Sequence, residues 1–283
     1  MPQNDSFFIG WSNKTPSGYV KKTRLFVLSI IPIILLAAFA FINSQKPVNN
    51  AAFEFGTLTA VEGTLIKKPV PMLRMNMGND LSGTPVFQHL LLVDVMKFGA
   101  EKAIGEMEKV AGHSLYGRAV KLNGTLIYYN GKTVLELTEG GSAFIGLSGQ
   151  KAYADLAKED KGTAKLRGEI VDTKCFFGVM KPGNGKTHKS CAVRCLSGGI
   201  PAILATENKD GQQDYYIILG EDGQSINMDL LDFTADHIQL TGKVERMEDW
   251  NILYTSAGKI CPCLLYTSPS PRDATLSRMP SSA

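Results

Sequence analysis

The sequence has no excess of either charge: 30 Lys and Arg stand against 27 Asp and Glu, a net charge of +3 over 283 residues. So balanced a chain offers no basic stripe to a phosphate backbone, and nucleic acid is not an expected partner. It has no C-x-x-C-H haem attachment, and no C-x-x-C redox pair. Gly-Asn-Gly-Lys-Thr at 183–187 ends as a P-loop does, but the glycine that motif requires at 180 is Met180. Iron–sulfur ligation would want a fourth cysteine close to the other three. Sulfur and imidazole are few but concentrated: three of five cysteines and one of four histidines fall between Asp172 and Pro201.

One long apolar run is present. Leu25 to Ile42 carries no charged residue and is near the ~20 residues that span a bilayer. Pro32 inside it is tolerated in a membrane helix. A secretory signal peptide is the competing reading, since small residues follow at a possible cleavage point. The long segment before Lys21 and the full spanning length favour an uncleaved anchor. Lys14, Lys21, Lys22 and Arg24 precede the run and only Lys46 follows it closely. The positive-inside rule therefore puts the N-terminus in the cytoplasm and the rest outside: a single-pass inner-membrane protein, periplasmic in a Gram-negative cell. That compartment permits disulfides.

The last residues, Cys263 to Ala283, back-translate without forcing into a transposase-type sequencing adapter. A disordered Ser/Pro tail has a similar composition, but has no reason to match both adapter segments in one frame. Set aside like any fusion scar, the tail leaves Cys175, Cys191, Cys195 and Cys261, and implies a natural C-terminus that the sequence does not show.

The remainder reads as mainly β. Phe55–Met75 alternates as a half-buried strand, His89–Phe98 is a second apolar run, Ala100–Gly112 has helical spacing, and Ser114–Thr138 reads as strands joined by Asn-Gly turns. A similar order returns after Lys165, and His113–Tyr129 set beside His237–Thr255 suggests two diverged copies of one module. Strands with one helix between the third and fourth give an OB-like small β-barrel, with a β-sandwich as the alternative. The expected organisation is a cytoplasmic segment 1–24, a transmembrane helix 25–43, a linker 44–53, a first barrel 54–140, a linker 141–164 with a short helix, a second barrel 165–262 and the adapter-like 263–283.

The second module differs by an insertion between its first two strands. Cys175 closes a strand, Lys181–Lys186 is a Pro/Gly turn, and Thr187–Leu196 suits two turns of helix, capped by Thr187 or Asn184 and stopped at Ser197-Gly198-Gly199. On that helix His188, Cys191 and Cys195 stand at i, i+3 and i+7, one face, with Cys175 brought over it by the turn. Three thiolates and an imidazole suit zinc in a tetrahedral site or copper in a soft one. A disulfide from Cys175 to Cys191 or Cys195 competes with the metal and would staple the insertion. Cys191 with Cys195 has poor geometry for a bridge. His113 and His237 read as structural, His89 carries no assigned role, and Tyr128, Tyr129, Tyr215, Tyr216 and Trp250 read as barrel core or rim.

The pattern D-x-K-C at 172–175, H-x-x-C-A-x-x-C at 188–195 and G-G-I-P at 198–201 resembles a family of membrane-anchored bacterial proteins. The resemblance covers mainly the second module, implies a setting near respiratory membrane oxidoreductases, and carries over no activity. The expected function is a membrane-anchored extracytoplasmic metal-binding or accessory module, more a binder than an enzyme, serving a respiratory or redox complex. The alternatives are an assembly protein with a disulfide-stapled barrel and a thiol-dependent redox enzyme.

Overall fold

The structure, a computed structural model, describes residues 17–44, 50–207 and 211–262. It divides into two compact units, 1–48 and 49–283. The described part of the first is one helix, α1 (Ser17–Ser44), which contains the predicted span. It is long and apolar enough to cross a membrane, with a mean hydropathy of 3.0 over an 18-residue window, and a signal sequence would meet the same test. Lys14, Lys46 and the adapter-like tail lie outside the described residues.

The second unit holds two barrels. The first consists of β1 (Ala52–Phe53), β2 (Thr59–Ile66), β3 (Met72–Asn79), β4 (Pro85–Val93), α2 (Glu101–Ala111), β5 (Ala119–Tyr129), β6 (Lys132–Leu137) and β7 (Phe144–Leu147). Its strands close in the order β5-β2-β3-β4-β6-β5, antiparallel throughout except β4 with β6. The second is built from β8 (Lys158–Asp172), α3 (Lys189–Ser197), β9 (Ala202–Glu207), β10 (Gln213–Gly220), α4 (Asn227–Leu230), β11 (His237–Met247), β12 (Trp250–Thr255) and β13 (Ile260–Pro262). It closes in the same way, β11-β8-β9-β10-β12-β11, with β10 and β12 the parallel pair. Each ring has five strands and a helix between the third and fourth, the OB-like arrangement read from the sequence.

The repeat is real but its register differs from expectation. Ala119 faces Thr64 in the first barrel as His237 faces Glu169 in the second, so Ala119, not His113, is the counterpart of His237. From there the strands match without a gap, and Gly124 falls on Gly242. A Cβ on either would stand 2.4 Å from the Glu136 carbonyl oxygen or 2.3 Å from that of Tyr254, so both are places where two strands cross too closely for a side chain. Asn123-Gly124, expected to be a turn, therefore lies inside β5. Asn130-Gly131, with φ of 49° and 74°, makes the hairpin turn instead.

Phe55–Met75 resolves into two strands, β2 and β3, joined at 67–71. The expected linker is also shorter: β7 pairs with β5, β8 begins at Lys158, and 151–157 has no helix or strand where a short helix was expected. That connection is tied down by side chains, because Arg74 donates to the Tyr153 and Asp155 carbonyls, both at 2.8 Å, and Tyr153 N–H donates to Thr64 Oγ1 at 2.8 Å.

Three apolar clusters account for the packing. One fills the first barrel, with Leu65, Leu90, Leu92, Leu122 and Leu135 meeting Ile104 and Met107 of α2. A second fills the other barrel with Ile170, Leu204, Ile218, Ile238 and Leu253. The third lies between the barrels, and joins Met72, Leu91, Val93, Ile127 and Val134 to Ile203, Ile217, Trp250 and Ile252. Alternate residues of β4, β6, β10 and β12 thus face a barrel interior and this shared core. Buried on both faces, they read as unbroken apolar runs such as Leu90-Leu91-Leu92-Val93.

Candidate metal centre

The insertion runs from the end of β8 at Asp172 to the start of β9 at Ala202. Its first turn, Cys175–Val179, is a wide helical turn that drives Phe176 and Phe177 into the core between the barrels. Phe177 meets Tyr215 and Trp250 edge-on, with ring centroids 5.1 and 6.1 Å apart. At its far end, α3 turns consecutive residues to two cores: Cys195 to the shared one and Leu196 to the interior of the second barrel. Packing on both flanks therefore fixes where the sulfurs point.

The N-terminal cap of α3 is His188, not Thr187 or Asn184. Its imidazole makes no cap and turns inward to Asp172, with Nε2 and Oδ2 3.1 Å apart. Asp172 Oδ1 accepts the Cys175 backbone N–H at 2.8 Å, so one carboxylate orients both the histidine and the first cysteine. The helix stops where expected, at Gly198 and at Gly199 with φ of 92°.

The candidate ligands fall into two groups of three that share Cys175. Cys175 Sγ is 3.9 Å from both Cys191 Sγ and Cys195 Sγ. Ligand atoms of Cys175, His188 and Cys191 lie within 4.8 Å of one another, as do those of Asp172, Cys175 and Cys195. Cys175, Cys195 and His188 are 3%, 1% and 2% exposed, and Cys191 is half-buried. A tetrahedron with Zn–S bonds of ~2.3 Å has S···S edges of about 3.8 Å, which the 3.9 Å spacings match.

The competing disulfide is not formed among the described residues. All four described cysteines are free, and 3.9 Å is nearly twice the ~2.05 Å of an S–S bond. The insertion does not need a staple, because Phe177, Leu196 and the Asp172 hydrogen bonds already hold it. Cys261 is exposed on β13 and belongs to neither metal-binding group.

Two residues of the site carry no sequence signal of their role. Asp172 was visible only as part of a pattern. Lys97 comes from the first barrel, 94 residues before Cys191, and sets its ammonium 2.8 Å from Cys191 Sγ and 3.6 Å from Cys195 Sγ. The loop bearing it is clamped to the insertion. Lys174 Nζ donates to the Asp94 and Met96 carbonyls at 2.9 and 2.7 Å and pairs with Glu136 at 3.0 Å. Gly99 N–H donates to the Gly198 carbonyl at 2.9 Å, and a Cβ on Gly198 would stand 1.8 Å from the Lys97 carbonyl oxygen.

The sulfurs are electrostatically unequal. The hydrogen bond to Cys195, then burial, push the Cys175 thiol well above the ordinary range. The same hydrogen bond, helped by Lys97, holds the Cys195 thiol below it. The contact with Cys191 holds the Lys97 ammonium above its usual value.

Of the remaining histidines, His113 lies in the turn after α2 and His237 opens β11. His89, given no role from the sequence, is fully buried, with Nδ1 2.6 Å from Asp249 Oδ1 of the second barrel. Tyr215 and Trp250 are buried between the barrels, whereas Tyr128 is exposed. Comparison with protein-family models, with curated proteins and with solved structures finds no match to this chain.

Proposed function

We propose that the chain is a membrane-anchored extracytoplasmic protein that binds one transition-metal ion, of the zinc or copper class, through Cys175, His188, Cys191 and Cys195, as an accessory part of a membrane redox or respiratory complex. The observation that carries this reading is the buried Cys175 thiol, 3.9 Å from both Cys191 and Cys195 Sγ and shared by two groups of three potential ligands, one of which contains His188. Four protein ligands make a closed site, the arrangement of a structural or carrier metal rather than of a catalytic one with an open position. Asp172 supports it from behind: a carboxylate on one ring nitrogen fixes the tautomer and leaves the other nitrogen as the donor. The apolar run within α1 supports the anchor, and the excess of Lys and Arg before that run supports the orientation.

The full-length chain, purified in detergent under reducing conditions, is expected to carry one zinc or copper ion by elemental analysis, and Cys175→Ser to lose most of it. Metal-free protein in which peptide mapping finds Cys175 bridged would overturn the reading and leave a stapled assembly protein. The lowered Cys195 thiol favours one further reading, a thiol-dependent redox enzyme. That reading predicts rapid alkylation at neutral pH without bound metal.

A further inference from the structure

We infer that Lys97, carried by the first barrel, belongs to the metal centre as the donor that balances and orients its thiolates, so that the site is built by both barrels. The inference rests on the metal-binding reading and adds a positioning residue from outside the cysteine segment. Three thiolates around a divalent ion leave one net negative charge, in a pocket where two of the cysteines and the histidine are 3% exposed or less. An uncompensated charge at such depth is costly unless it is paired and hydrogen-bonded. Lys97 supplies one positive charge and N–H donors at 2.8 Å from Cys191 and 3.6 Å from Cys195.

The other charges beside the site are already committed. Asp172 is bound to His188 and to the Cys175 N–H, and Lys174 to Glu136 and two carbonyls. The position of Lys97 is also built rather than incidental. Lys174 and Gly99 tie its loop to the insertion on either side, and Gly198 lacks the side chain that would push the Lys97 backbone away. Cys191, the half-buried member of the three, is the sulfur that the ammonium covers most closely.

Cobalt(II) is the probe, added to the full-length chain in detergent after reduction and chelation. Wild type is expected to show the thiolate-to-cobalt charge-transfer and ligand-field bands of a tetrahedral site. Lys97→Met is expected to bind cobalt ~10- to 100-fold more weakly, the range for loss of an outer-shell partner. In the loaded protein it should also expose Cys191 to faster alkylation by iodoacetamide, while Lys97→Arg, which keeps charge and donors, should restore both. Far-UV circular dichroism checks each fold, and Lys97→Gln replaces the Met variant if that one does not fold. A folded Lys97→Met or Lys97→Gln that binds cobalt as tightly as wild type, with unchanged alkylation, overturns the inference and leaves the metal site standing. Absence of any thiolate–cobalt band in wild type overturns both.

Discussion

Asp172 and Glu169, three residues apart on β8, are both nearly buried carboxylates, and the structure uses them in opposite ways. Asp172 is satisfied on both oxygens by the groups it positions. Glu169 accepts from the Gly185 N–H in the turn of the insertion, yet burial outweighs that bond and raises its carboxyl above the usual 4.5. The folded chain therefore holds this proton more tightly than the unfolded one. From about pH 4.5 up to the raised value, ionising Glu169 costs stability, so its contribution falls as pH rises and stays unfavourable at neutrality. Glu169→Gln keeps an acceptor for Gly185 and removes the charge. With chelator present, its melting temperature at pH 7 is expected to equal or exceed that of wild type, and the gap to close as pH falls toward 4.5. A variant that melts below wild type at pH 7 but not at pH 4.5 would show that the ionised carboxylate stabilises the fold.

At the scale of elements, both barrels were legible because period-2 patterns, turn residues and one helix per module appear in the right order. The insertion was legible because 173–201 joins the first two strands of the second module where only 67–71 joins those of the first. Its ligand face was legible because three, four and seven residues on a helix are neighbours whatever surrounds it. The turn in β5 was misread because Asn-Gly at 123–124 and at 130–131 look alike locally. What separates them is a tertiary contact, the passage of β6 across Gly124. The same reasoning predicts the cost of filling that space. Gly242→Ala would place a methyl 2.3 Å from the Tyr254 carbonyl oxygen, and should destabilise the protein by about 1–3 kcal/mol in urea unfolding. Gly149→Ala, which meets nothing within 4 Å, should stay within about 0.5 kcal/mol of wild type. Equal effects at the two positions would mean that close strand approach is not what requires glycine in β11. Lys97 and the carboxylate role of Asp172 had no such local sign, because both depend on which strand ends the fold brings together.

At the scale of the second unit, the candidate metal centre sits in the seam between the two barrels. The core between them takes residues from both rings and from the insertion. Buried polar ties cross it as well: Arg74 pairs with Glu248, and His89 with Asp249. Phe177 is central to this arrangement, since it is fully buried, meets Tyr215 and Trp250, and lies two residues after Cys175. Its replacement should therefore report on stability and on the site together. Phe177→Ala is expected to cost about 3–5 kcal/mol, the range for emptying a buried aromatic position. It should also weaken cobalt binding, because the turn that aims Cys175 loses its anchor. With the shared core intact, Trp fluorescence and far-UV circular dichroism should follow a single urea transition. In Phe177→Ala on a Trp11→Phe background, where fluorescence reports on Trp250 in the seam, that transition should move ahead of the loss of strand signal. Coincident transitions in the variant with unaltered cobalt affinity would mean that each barrel holds its own structure, and that the insertion alone, without the seam, positions the sulfurs.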